Sequence, residues 1–243
     1  MQVYYLSNSG YAVFLKDKLL VFDYYKNTTL DEEKNVNSGV IRKEDLEKKK
    51  HVYVFVSHSH PDHFNPVIFD WQEYNNNTYY MLDSDIQNSR GLLNVKNINF
   101  FKKGTEFNNG DIFVKAFGST DIGISFYVET GGIKIFHAGD LNCWHWEDEA
   151  SKEYAARARE DFLEEIKDIK KDIKTIDLAF FPVDIRLGRK HDEGAKYFIQ
   201  ELKPSIFIPM HSERMDVFSR FKRENNFENT KVICPSVRGD KLL

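Results

Sequence analysis

HVYVFVS, residues 51–57, runs directly into HSHPDH, residues 58–63. The first run is apolar and β-branched, as a buried strand should be. The second places His58, His60, Asp62 and His63 within six residues. Imidazole and carboxylate are the ligands expected for zinc or a similar divalent metal. In an extended segment His58 and His60 point the same way, because side chains repeat every two residues, so both can reach one ion. Pro61 then turns the chain and sends Asp62 and His63 towards a neighbouring point. Four such groups converging without a metal would be costly to desolvate. The competing reading is a polar surface loop that happens to be rich in histidine.

The elements around this stretch alternate. Before it, Gln2–Ser7, Tyr11–Lys16 and Lys18–Phe22 read as short strands, with Ser9-Gly10 and Lys16-Asp17 as turn signals. Residues 31–50 are polar, with a short helix at Arg42–Lys49. After it, strands are expected at Thr78–Leu82, Ile98–Phe101, Ile112–Ala116, Ile124–Glu129 and Ile133–Phe136. Gly131-Gly132 makes a hairpin turn between the last two. Ala150–Lys174 is the longest helix, with Phe162, Ile166, Ile169 and Ile173 at spacings of three and four. Strands at Leu178–Phe181, Ile206–Ile208 and Val232–Cys234 then alternate with helices at Glu193–Leu202 and Met215–Asn225. The pattern is α/β, sheets covered by helices. With no repeat and no Pro/Gly/Ser-rich linker, residues 1–243 are expected to form one domain.

Two further stretches carry chemistry, both at strand ends: Phe136-His137-Ala138-Gly139-Asp140 and Ile208-Pro209-Met210-His211. Together with H-x-H-x-D-H after a strand, these motifs in this order resemble the metallo-β-lactamase superfamily. Pro182 onward and the Pro-Met-His ending are similar to the branch holding ascorbate-6-phosphate lactonase and the phospholipase D that cleaves N-acyl ethanolamine phospholipids. The resemblance implies a four-layer αββα sandwich and one or two divalent metal ions. His58 and His60 would hold one metal, Asp62, His63 and His211 the other, and Asp140 would bridge. Zinc suits such a set, and manganese, iron or nickel could occupy a site with more oxygen ligands. A metal-bound hydroxide would attack a carbonyl carbon or a phosphorus. Asp62 would be the catalytic residue that orients the water or accepts its proton.

The family usually supplies a third histidine to the first metal, in a stretch like G-H-T. Here the matching stretch is Phe117-Gly118-Ser119-Thr120-Asp121, and no histidine lies between His63 and His137. Four outcomes are open: Asp121 substitutes as a ligand, His145 or His191 folds over the site, the first site is weak or empty, or the chain is an inactive relic. Ser119, Asp121, His145 and His191 are therefore candidate metal or substrate residues. His145 sits in the aromatic stretch Asn142-Cys143-Trp144-His145-Trp146, and His191 follows the basic Arg186-Leu187-Gly188-Arg189-Lys190, which suits an anion. His137 reads as a packed or orienting histidine, and Asp184 as near the site or a cap.

The expected function is hydrolysis of a lactone, ester, amide or phosphodiester in a small anionic substrate. The alternatives are an RNA- or DNA-processing nuclease of the same superfamily and a non-enzymatic metal-binding protein. Only 70 residues separate Asp140 from His211, which leaves no room for a large inserted nuclease domain. The net charge of -4, from 34 basic and 38 acidic side chains, argues against a chain built to grip polyanions. Aromatic residues are 14% of the chain, which argues against disorder. No run of about 18 apolar residues predicts a membrane span, and the first residues do not read as a signal peptide. Two free cysteines, Cys143 and Cys234, suit a reducing cytoplasm. The oligomeric state is not written in the sequence.

Overall fold

A computed structural model of the chain describes residues 1–29, 33–89 and 91–243. The first two residues of the polar stretch 31–50 lie outside them. The chain divides into two compact units, residues 1–101 with 235–243, and residues 102–234.

The first unit is built on a six-stranded sheet in chain order: β1 (Gln2–Ser7), β2 (Gly10–Phe14), β3 (Lys18–Phe22), β4 (His51–Val56), β5 (Thr78–Asp83) and β6 (Ile98–Phe101). β1 to β3 pair antiparallel, and β3 to β6 pair parallel. A parallel sheet is normally covered on both faces, so its strands need no polar side. That is why β4 reads as an unbroken apolar run. Val52, Val54 and Val56 join Leu19, Val21, Tyr80, Leu82, Ile68 and Trp71 in one core. Tyr53 and Phe55, on the opposite face, are equally buried, and Phe55 stacks on Phe22 with ring centres 4.6 Å apart. The C-terminal segment is tied to this unit by Arg238, which donates to the carbonyls of Leu6 and Lys26, each at 2.6 Å.

The second unit holds a seven-stranded sheet in the order β13-β12-β11-β10-β9-β8-β7. Its strands are β7 (Glu106–Asn108), β8 (Phe113–Phe117), β9 (Ser125–Thr130), β10 (Ile133–His137), β11 (Leu178–Pro182), β12 (Ile206–Met210) and β13 (Lys231–Val232). The last four run parallel. The helices are α2 (Lys152–Asp172), α3 (Glu193–Leu202) and α4 (Met215–Glu224), while a one-turn α1 (Lys43–Glu47) belongs to the first unit. Ser151 caps α2 by accepting from the Tyr154 N–H, so the helix starts two residues later than expected. Its buried stripe is Ala155, Phe162, Ile166 and Ile169, at the period of a helix lying on a core. Phe198 of α3 packs on Phe181 of β11 at 4.5 Å, and Phe221 of α4 on Phe207 of β12 at 5.6 Å.

Three elements differ from the sequence expectation. β7 was not expected, although Asn109-Gly110 is a hairpin signal and Asn108 pairs with Phe113. The strand expected at 232–234 is the two-residue edge strand Lys231–Val232. A 3-10 stretch at Pro66–Glu73, capped by Asn65 with proline in its first turn, occupies a region left unassigned.

Each sheet thereby does one thing for function. Parallel neighbours end on the same edge, so the loops after them are brought side by side. In the first unit these are the loops after β3, β4 and β5. In the second they follow β10, β11 and β12.

Candidate metal centre

In the first unit the loop after β4 carries His58, His60, Asp62 and His63. His58 and His63 are fully buried, and their rings lie 4.1 Å apart. The His60 ring packs edge-on against His58 at 4.5 Å, so the two do point the same way. Asp62 Oδ2 lies 3.6 Å from His63 Nε2.

What sets these histidines is Asp23, the residue after β3. It is buried, at a backbone φ of 42°, a conformation in which Asp is one of the few residues found outside glycine. Its Oδ1 accepts the Ser57 N–H at 2.8 Å, and its Oδ2 accepts the Ser57 hydroxyl at 2.7 Å. The same Oδ2 lies 2.8 Å from His63 Nδ1. A carboxylate only accepts, so His63 carries its proton on Nδ1 and its lone pair on Nε2. Ser57 has given its one hydroxyl proton to Asp23. It therefore accepts from His58 Nδ1, 3.0 Å away, and His58 too keeps its lone pair on Nε2. One buried carboxylate thus fixes both rings in the form that ligates a metal. Asp85, after β5, accepts the N–H of Ser59 between the first two histidines at 3.0 Å.

In the second unit Asp140 follows β10 and His211 follows β12. His211 sits at φ 68° and is buried. Its Nδ1 lies 3.0 Å from Asp184 Oδ2, and its Nε2 lies 3.2 Å from Asp140 Oδ1. The second distance puts a ring nitrogen against a carboxylate oxygen, an arrangement that asks for a proton or a metal ion between them. Arg186 grips Asp184 with Nε and Nη2, and its guanidinium lies over the Trp146 ring at 5.9 Å. Burial would raise the Asp184 pKa, but the bonds from His211 and Arg186 outweigh it and take the group down to about 2. His137, fully buried, accepts the Gly139 N–H at 3.2 Å and so shapes the turn that presents Asp140. Trp144 reaches back with Nε1 to the Asp140 carbonyl at 2.7 Å.

Among the described residues, four of the seven non-glycine positive-φ positions, Asn8, Asp23, Trp146 and His211, fall in these segments or beside them. Such backbone persists where surrounding structure over-determines it, typically at working sites.

The remaining candidates are placed differently. Ser119 is half-buried and accepts the N–H of the exposed Asp121 at 3.3 Å. His145 is buried with both nitrogens engaged: Nδ1 accepts the Glu147 N–H at 3.0 Å and Nε2 meets the Lys190 carbonyl at 3.3 Å. His191 turns Nδ1 to the Gly188 carbonyl at 3.2 Å. Among the described residues none of Asp121, His145 and His191 joins a group of ligand atoms with Asp140 or His211. The basic loop has acidic partners, Arg189 with Asp148 at 3.7 Å and Lys190 with Glu147 at 2.8 Å. Sequence reasoning passed over Asp23, Ser57, Asp85 and Asn8 as site residues. A lone acid at the end of an apolar strand, Val21-Phe22-Asp23, was the available signal.

The donor set fits a divalent metal: imidazoles fixed as Nε2 donors, with carboxylates beside them. No protein-family model matches the chain, and no curated protein does. Solved structures do. The chain is similar to the metallo-β-lactamase fold protein YhfI from Bacillus subtilis, 14% identical, over 98% of this chain and 96% of that one, with a TM-score of 0.61. It is similar to the isothiocyanate hydrolase from Delia radicum gut bacteria, 12% identical, over 100% and 99% of the two chains, with a TM-score of 0.60. It is also similar to CmlA, a diiron beta-hydroxylase from Streptomyces venezuelae, 11% identical, over 86% of this chain but 44% of that one, with a TM-score of 0.57. At such identities the likeness shows the fold. The chain has the metallo-β-lactamase fold, an α/β architecture, as its motifs led us to expect.

Proposed function

We propose that the chain is a metal-dependent hydrolase of a small anionic substrate. Its candidate ligands are His58, His60, Asp62 and His63 within the first unit, and Asp140 and His211 within the second. One observation carries this reading. In each unit a buried carboxylate, Asp23 or Asp184, holds Nδ1 of a buried histidine and leaves Nε2 as a donor. A surface loop rich in histidine has no need of such support, whereas metal-ligating histidines have it almost always.

The donor set of imidazoles and carboxylates suits zinc. A bound divalent ion would lower the pKa of water and polarise the oxygen of the scissile group. The chain's own residues do the rest. Asp62, with its side chain 51% exposed, is placed to orient a water and accept its proton. Asp23 and Ser57 keep His58 and His63 from changing tautomer. Asp184 does the same for His211. Arg186, 60% exposed beside His211 and over Trp146, is placed to meet the anionic part of a substrate.

Within this class a lactone, ester, amide or phosphodiester is the bond cleaved, and Pro209-Met210-His211 favours the lactonase-like branch. Among the described residues no helix is long and apolar enough to cross a membrane. Both cysteines are free thiols, which favours a cytoplasmic location.

The test is an activity panel of lactones, carboxylic esters, amides and phosphodiesters, each with a charged and a neutral member. Hydrolysis should stop on chelation, return with zinc, and be absent in Asp62→Ala and His63→Ala. Hydrolysis that survives chelation and both substitutions would overturn the reading.

A further inference from the structure

The turn joining β1 to β2 is Ser7-Asn8-Ser9-Gly10. Such polar residues in a hairpin turn belong at the surface, where water satisfies the backbone. Here all four are buried, Ser9 completely and Asn8 to 8% exposure. The turn is held firmly. A methyl group at Gly10 would sit 2.9 Å from the Ser7 carbonyl oxygen and 3.0 Å from that of Asp23. Ser7 Oγ lies 3.1 Å from the Tyr25 hydroxyl. Because β1 is antiparallel to β2 and β2 to β3, this turn falls on the same sheet edge as Asp23 and the histidine loop.

Asn8 has φ 48°, a left-handed backbone that asparagine tolerates better than most residues. That backbone aims its carboxamide at the histidine loop, where Nδ2 donates to Asp62 Oδ2 at 3.1 Å. Asp62 needs such a partner. A half-exposed carboxylate has several rotamers open to it, and only some turn it towards His63 Nε2. A hydrogen bond to a charged acceptor is among the stronger ones and selects one of them.

We propose that Asn8 is a positioning residue for Asp62, fixing its carboxylate against His63 in the orientation that takes a metal and a water proton. The proposal rests on the metal-dependent reading above. Asn8 acts through Asp62.

The test is zinc affinity, read by competition with a chromophoric chelator, for the wild type, Asn8→Gly, Asp62→Ala and the double variant. Glycine keeps the positive φ and removes the amide donor. Asn8→Gly should weaken zinc binding about 10- to 100-fold, the usual cost of losing a residue that orients a ligand. In the Asp62→Ala background it should change nothing, because its target is gone. Metal-free Asn8→Gly should remain folded with a cooperative melt well above the assay temperature, so that its weakened zinc binding reflects the ligand and not unfolding; if Asp62→Ala binds zinc too weakly to measure, this decides the matter. Wild-type affinity in Asn8→Gly overturns the role of Asn8 and leaves the metal-dependent reading standing. So does a loss of affinity that is equal in both backgrounds, or that comes with a protein already unfolding at the assay temperature. A wild-type protein that takes up no zinc overturns both.

Discussion

Oδ2 of Asp23 lies 2.8 Å from Nδ1 of His63, and the same buried carboxylate takes both donors of Ser57. This contact decides which nitrogen of the ring faces outward. Asp23→Asn keeps the shape but not the chemistry. The Ser57 N–H needs an oxygen, so the new amide NH2 points at His63 and turns its Nδ1 into an acceptor. The proton then moves to Nε2, where it blocks ligation. We expect a folded protein whose zinc affinity falls by roughly 100-fold, the upper end of such effects. Chelator competition together with a thermal melt checks this, and undiminished affinity would remove Asp23 from the account.

Asp184 gives a pH signature. Its pKa is taken from an ordinary 3.8 down to about 2, the bonds from His211 and Arg186 outweighing burial. A group depressed in the folded state contributes stability that is fully present above its unfolded pKa and is lost as pH falls through the folded one. The wild type should therefore exceed Asp184→Asn in metal-free unfolding free energy at neutral pH. That gap should hold above pH of about 5 and close between about 4 and 2. Denaturant titrations across that range measure it. A gap that widens on acidification would show that the carboxylate is not stabilised by its partners.

Gly194, in the first turn of α3, lies against the loop that follows Asp140. A methyl group there would sit 2.2 Å from Asn142 Oδ1 and 2.9 Å from the Cys143 nitrogen. Asn142 cannot easily yield, because its backbone N–H and carbonyl are both held by Thr120 Oγ1. Gly194→Ala should cost about 1–3 kcal/mol through overpacking. Calorimetry should show the lowered melting temperature, and an unchanged one would mean that the loop has slack.

The histidine loop was legible because local rules suffice there. Residue types name the chemistry, and the period of two places His58 and His60 on one side. Asp140 and His211 were legible from the order of the motifs. Asp23 and Asn8 were not, because each acts on residues 34 to 54 positions away through strand neighbours that no local pattern reveals. His145 stood out as a pocket histidine, yet its nitrogens meet the Glu147 N–H in its own loop and the Lys190 carbonyl in the loop after β11. The basic loop after β11 suggested an anion site, whereas Arg189 and Lys190 meet acids on residues 147 and 148. Charge complementarity between two loops distant in sequence is invisible until both are placed.

By the family resemblance, position 119 is where a third imidazole for the first metal is expected. Under excess zinc the wild type should take up a second ion and lose it on dialysis. Ser119→His should retain both. Equal retention in the two proteins would mean that an imidazole at position 119 adds no metal ligand.

The most direct test is the metal content per chain, by elemental analysis of protein purified without chelator, supplemented with zinc and then dialysed. The wild type should hold one divalent ion tightly, and His63→Ala none. A wild-type chain that holds no metal after supplementation would contradict the metal-dependent reading.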